Sequence, residues 1–128
     1  MSFMNKLNGK ELNDFNNSVR PKYIAVNSHN GIKIIEVNNI VYLESSGRYT
    51  IIYINNNNSV TVCKNLGHYE KLFSEIDFLR VHHSFIINIA FLDKIIKDGG
   101  GQYCLLNQHK IIPISKRRFS MVKKYLYY

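Results

Sequence analysis

The sequence predicts a mostly β domain carrying two helices, and three observations lead there. From Lys22 onward, short runs of Ile, Val, Tyr and Phe alternate with clusters of Asn, Gly and Ser, the pattern of strands and turns. Past that point, apolar spacing of three and four appears only at residues 65–76 and near the C-terminus. The 128 residues, 45% hydrophobic and 20% charged, suffice for one domain with a buried core.

Residues 1–21 are polar and Asn-rich. Leu7, Leu12 and Phe15 would line one side of a short helix, but few apolar residues accompany them. The segment reads as a linker or N-terminal arm closed by Pro21. Residues 22–27 and 32–37 are expected strands, turned at His29-Asn30-Gly31, where Asn and Gly tolerate positive φ. Residues 40–43 form an apolar run of the length of a buried strand, and 44–48 read as a polar loop. Residues 49–54 and 59–63 pair as a hairpin across the asparagines at 55–58.

Leu66, Tyr69, Leu72, Phe73 and Ile76 make the apolar stripe of a helix over 64–77, with Asn65 placed to cap it. The segment 80–88 follows. Residues 91–96 and 102–106 are strands joined across Gly99-Gly100-Gly101, which lacks the Gly-Lys-Ser/Thr ending of a phosphate loop. Residues 110–114 form a last strand, and Pro113, unable to donate to a ladder, places it at an edge or an end. Ser115 is positioned to cap a helix over 116–127, with Phe119, Met121, Val122 and Leu126 turned inward.

Charge narrows the partners. The net charge is +8, and six Lys or Arg lie between Lys110 and the end of the chain with no Asp or Glu among them. A field of one sign favours a polyanion. No run approaches the roughly 18 apolar residues that cross a bilayer, and the first residues lack the apolar core of a signal peptide. A cytoplasmic protein is the expectation. Cys63 and Cys104 are then expected free and packed. No cofactor is implied. His82 and His83 are adjacent, so on a strand they point to opposite faces and make a poor metal pair. Enzyme chemistry finds no support, because Cys63 ends an apolar strand and no carboxylate pair sits in a polar loop.

Three polar stretches stand out: 44–48, 80–84 and 115–118. Each adjoins an apolar strand, so each is expected at a strand end, displayed by rigid structure. They supply Arg48, Arg80, His83, Lys116, Arg117 and Arg118 as cations, and Ser45, Ser46, Ser84 and Ser115 as neutral phosphate partners. Structural roles stand beside these. Arg80 fits phosphate contact and a buried ion pair with Glu44 equally well. His82 reads as turned inward onto the backbone, Ser115 as a helix cap, and the tyrosines at 125, 127 and 128 as packing and a fraying end. No tandem helices with a tight turn are present, so recognition would come from loops on a β core.

In these stretches the chain resembles the LytTR DNA-binding domains of bacterial response regulators. Three motifs carry the resemblance in order: residues 40–49 (IVYLESSGRY), 78–88 (FLRVHHSFIIN) and 112–118 (IPISKRR), with the helix after Cys63 also in place. It spans about residues 23–127 and implies an elongated, antiparallel fold of about ten short strands, one mid-chain helix and one C-terminal helix. It implies loops set into major grooves of double-stranded DNA at promoter direct repeats, where a second copy would sit alongside. By position, the contacts would come from Ser46, Arg48, Tyr49 and Thr50, from His83 and Ser84, and from Lys116, Arg117 and Arg118. Arg117 is the first expected base reader. His83 stands where the family commonly has Arg, Lys or Asn. The sequence holds no receiver domain, so the expectation is either a stand-alone domain or the C-terminal piece of a longer protein; in the second case an upstream receiver or a sensor kinase is an implied partner. The competing reading is an interaction or sensory module whose basic face takes an acidic protein.

Overall fold

A computed structural model describes residues 21–74 and 76–128. The N-terminal arm expected over 1–21 lies, but for Pro21, outside them. Ten strands and two helices follow one another: β1 (Tyr23–Ser28), β2 (Gly31–Glu36), β3 (Ile40–Ser46), β4 (Tyr49–Ile54), β5 (Asn58–Val62), α1 (Leu66–Leu72), β6 (Phe78–His82), β7 (Phe85–Asn88), β8 (Leu92–Asp98), β9 (Gly101–Leu106), β10 (Lys110–Ile114) and α2 (Lys116–Tyr125). All pairings are antiparallel. They make a β1-β2 hairpin, a five-stranded sheet in the order β5-β4-β3-β7-β6, and a three-stranded sheet in the order β10-β9-β8.

The centre of the five-stranded sheet is buried on both faces, which is why residues 40–43 of its central strand read as a continuous apolar run. A register shift at Val41 puts Ile40 and Leu43 on one side and Val41 and Tyr42 on the other. The first side packs on Ile24, Val26 and Ile35 of the hairpin, on Leu66 and Tyr69 of α1, and on Phe73. The second side, with Leu79, Val81 and Ile87, packs on Cys104 and Leu106 of β9, Ile112 and Ile114 of β10, and Val122 of α2. Each fully buried Ile or Leu in these layers contributes about 1.5–3 kcal/mol. Asn88, buried, ties the end of β7 to the start of β3 and caps the turn that follows: its amide donates to Ile40 O at 2.8 Å and its oxygen accepts from Ala90 N at 3.0 Å.

Several expectations are corrected by this packing. The mid-chain helix stops at Leu72, not Asp77. Phe73 and Ile76 still pack on the core, but from tight turns with Ser74 N on Lys71 O and Ile76 N on Phe73 O, because the chain must reverse into β6. The polar loop expected at 44–48 is mostly strand, and only Gly47 and Arg48 lie outside β3 and β4. Residues 80–88 are not one segment; they belong to a β6–β7 hairpin that turns at His83 and Ser84. The C-terminal helix ends at Tyr125, with Tyr127 at φ 58°, and Met121 faces solvent at 41% exposure. Cys63 is exposed, not packed, while Cys104 is buried and its thiol is pushed up to about 12 by that burial; both are free. The first hairpin turns at His29-Asn30 without positive φ. Other turn readings hold: Asn56 and Asn57 sit at φ 71° and 65°, Gly99 and Gly100 at 59° and 83°, and Pro113 lies on an edge strand.

Candidate nucleic-acid interface

Backbone hydrogen bonds bring the three polar stretches to one place. Ser45 N of β3 donates to Ser84 O in the β6–β7 turn at 2.9 Å, and Ser115 N, at the start of α2, donates to Val81 O of β6 at 2.9 Å. The β6–β7 turn is therefore the middle member, stitched to the β3–β4 turn on one side and to α2 on the other. Gly47 takes φ 61° at the first position of a two-residue turn, where a side chain would be strained, so Arg48 follows it at the tip. Val81 is a bulge residue between Arg80 and His82, which bends β6 as it enters its turn.

Two groups of side chains separate within this cluster. Ser46, Arg48, Tyr49, His83, Lys116 and Arg117 are exposed, with Tyr49 at 43%. Ser84 is half-buried. The others are held. Thr50 is buried and its hydroxyl donates to Lys64 O at 2.7 Å, fixing the chain between β5 and α1, so this hydroxyl is engaged inside the fold. Arg80 is likewise held within the chain, through three hydrogen bonds. Nη1 reaches Glu70 Oε1 at 2.7 Å, Nε reaches His82 O at 3.3 Å, and Nη2 donates to His83 O. Its acceptor is Glu70 rather than Glu44, whose Oε1 instead accepts from Tyr53 Oη at 3.1 Å.

His82 has the structural role expected of it: Nδ1 accepts from Ser84 N at 3.0 Å, closing the turn, with the ring tilted on Phe85. Arg118 is mostly covered at 19% side-chain exposure, with Nη1 4.0 Å from Glu70 Oε2. Burial, then the neighbouring Arg80 guanidinium, draws its pKa below the usual arginine value, and Glu70 opposes that. Ser115 occupies the cap position, but its hydroxyl makes no cap bond and is enclosed without a partner, as is Arg118 Nε. The capping expectation is thus right in place and wrong in chemistry.

What remains exposed is a compact set of cations and hydroxyls. The amides of the first turn of α2 lack a side-chain cap, and no acidic residue lies within that turn. Sequence reading missed Glu70, which no motif contained. The arrangement can grip phosphates and read base edges. Among the described residues no group of three or more metal-ligating side chains occurs, and no helix is long and apolar enough to cross a membrane.

A β core that presents basic side chains on short turns, without tandem helices, defines a nucleic-acid-binding domain of the β type. The family model for the LytTr DNA-binding domain matches residues 30–127, and the chain belongs to that family. A solved structure, the LytTr DNA-binding domain of a Bacillus cereus protein described as a methyl-accepting/DNA response regulator, superposes with a TM-score of 0.74 at 20% identity. That match covers 84% of this chain and 99% of that one, and the likeness is one of fold. An uncharacterized response regulatory protein of Vibrio cholerae is 22% identical over 105 residues, covering 77% of this chain. The chain spans about 40% of that relative's length.

Proposed function

We propose that this domain binds double-stranded DNA sequence-specifically and regulates transcription in the cytoplasm, with Arg48, Tyr49, His83, Lys116 and Arg117 facing the duplex. One observation carries the reading: the exposed cations of three separate segments converge on one edge of the fold, in a chain of a DNA-binding family. Arg117 is assigned to a base edge, Lys116 and Arg48 to phosphates, and Ser46 and Ser84 to neutral phosphate contacts. Two copies would occupy a direct repeat, each inserting its turns into a major groove. A receiver-type domain in the same chain or a separate sensor kinase would supply the signal, in keeping with the response regulatory relative.

Selection from a random duplex library, with the winner retested at low and moderate salt, tests this. A repeated motif whose affinity falls steeply with salt is expected, the logarithmic slope giving about 0.9 per phosphate contact. Equal, weak binding to every duplex would refute it and leave a basic face suited to an acidic protein partner.

A further inference from the structure

Both ion pairs found among the described residues end on one carboxylate. Glu70, on α1, takes Arg80 at 2.7 Å through Oε1 and Arg118 at 4.0 Å through Oε2. The two arginines belong to two of the three segments of the interface, β6 and α2, and Glu70 belongs to neither. In a chain of net charge +8, a single acid placed between two interface arginines has a specific effect on each.

For Arg80 the effect is geometric. Its guanidinium spans three acceptors: the carboxylate, His82 O and His83 O. The last two are the carbonyls around which the β6–β7 turn is built, so Arg80 is a splint inside the turn that displays His83 and Ser84. A planar five-donor head can bond all three at once only when held in plane, and the carboxylate supplies the anchor on the far side. For Arg118 the effect is electrostatic. The guanidinium is mostly covered, close to Arg80, and drawn toward Glu70 instead of outward with Lys116 and Arg117.

We infer that Glu70 is a positioning residue for sequence discrimination: it sets the β6–β7 turn through Arg80 and withholds Arg80 and Arg118 from the phosphates. This rests on the DNA-binding reading above and deepens it. Phosphate contacts add affinity for every duplex alike, whereas a rigid turn adds it only for the correct one. Removing the carboxylate therefore strengthens binding to the wrong DNA while weakening the preference for the right one. A residue that only supported the fold would lower both together.

The test compares Glu70→Ala and Glu70→Gln with the unaltered full chain on the selected duplex and a scrambled one, across salt. With Ala, the selected-to-scrambled ratio should fall about tenfold, the order of one mismatched base pair. Scrambled-duplex affinity should rise, and the salt slope should steepen by up to about 2 as two arginines are freed. Gln keeps an acceptor for Arg80 but not the charge. It should steepen the slope by about 1, through Arg118 alone, while retaining more of the ratio, and being isosteric at a half-exposed position it carries the test even where Ala fails to fold. Equal loss on both duplexes, with slope and ratio unchanged in Gln, overturns the inference and leaves the DNA reading intact. An unaltered chain that does not distinguish the two duplexes takes both down.

Discussion

The two helices begin in opposite ways. At α1, Asn65 Oδ1 accepts from His68 N at 2.9 Å, and no cation occupies the first turn. At α2, the cap serine makes no side-chain bond, and Lys116, Arg117 and Arg118 crowd the positive end of the helix dipole. The first start is built for stability. The second pays a local electrostatic penalty, and its first turn contains no acidic residue. A helix start left uncapped and surrounded by cations is completed when an anion arrives. In this domain the stabilised start lies beside the core hairpin and the unfinished one lies at the interface.

Substitutions at the two starts should therefore move different observables. The largest effect belongs to Arg117→Ala, expected to weaken the selected duplex by about 1–3 kcal/mol and relax preference at one base pair. Fluorescence anisotropy on single-position variants of the selected site reads this out. Unchanged affinity would remove Arg117 from the interface. Next is Asn65→Ala, which should cost about 1 kcal/mol of stability by loss of the cap. Denaturant melts should register it, with DNA affinity per folded molecule unaltered. The smallest effect is the most telling. Lys116→Glu should raise stability by about 0.3–1 kcal/mol at low salt, through the helix dipole, and yet weaken every duplex. A melt that shows Lys116→Glu destabilising would contradict the contrast between the two helix starts.

Much of this was legible in the chain, and what was not has physical reasons. The strands and turns announce themselves because their chemistry is local: Asn56, Asn57 and Gly99 stand where positive φ is required, and β3 is apolar over residues 40–43 because that part is covered on both faces. Helix length was misread because the stripe through Ile76 is real. Nothing in periodicity shows that Phe73 and Ile76 reach the core from turns. The inward position of Thr50 had a signal in the sequence. It shares a strand face with Ile52, two residues on, and that residue is fully buried. The partner of Arg80 was out of reach, since Glu70 meets it only after the chain leaves α1, reverses and starts β6. Turns fixed by local chemistry could be read; side-chain partners fixed by tertiary pairing could not.

The interface is carried on turns with no slack. Gly47-Arg48 and His83-Ser84 are two-residue connections between strands whose registers are set. One residue inserted into either would shift the register and exchange the faces of a strand packed on both sides. Divergence in such a domain is consequently confined to replacing side chains at fixed points, as a type slug is swapped in a frame. On the proposed reading, recognition of new operators would evolve by substitution at Arg48, His83 and Arg117, while loop lengths stay constant.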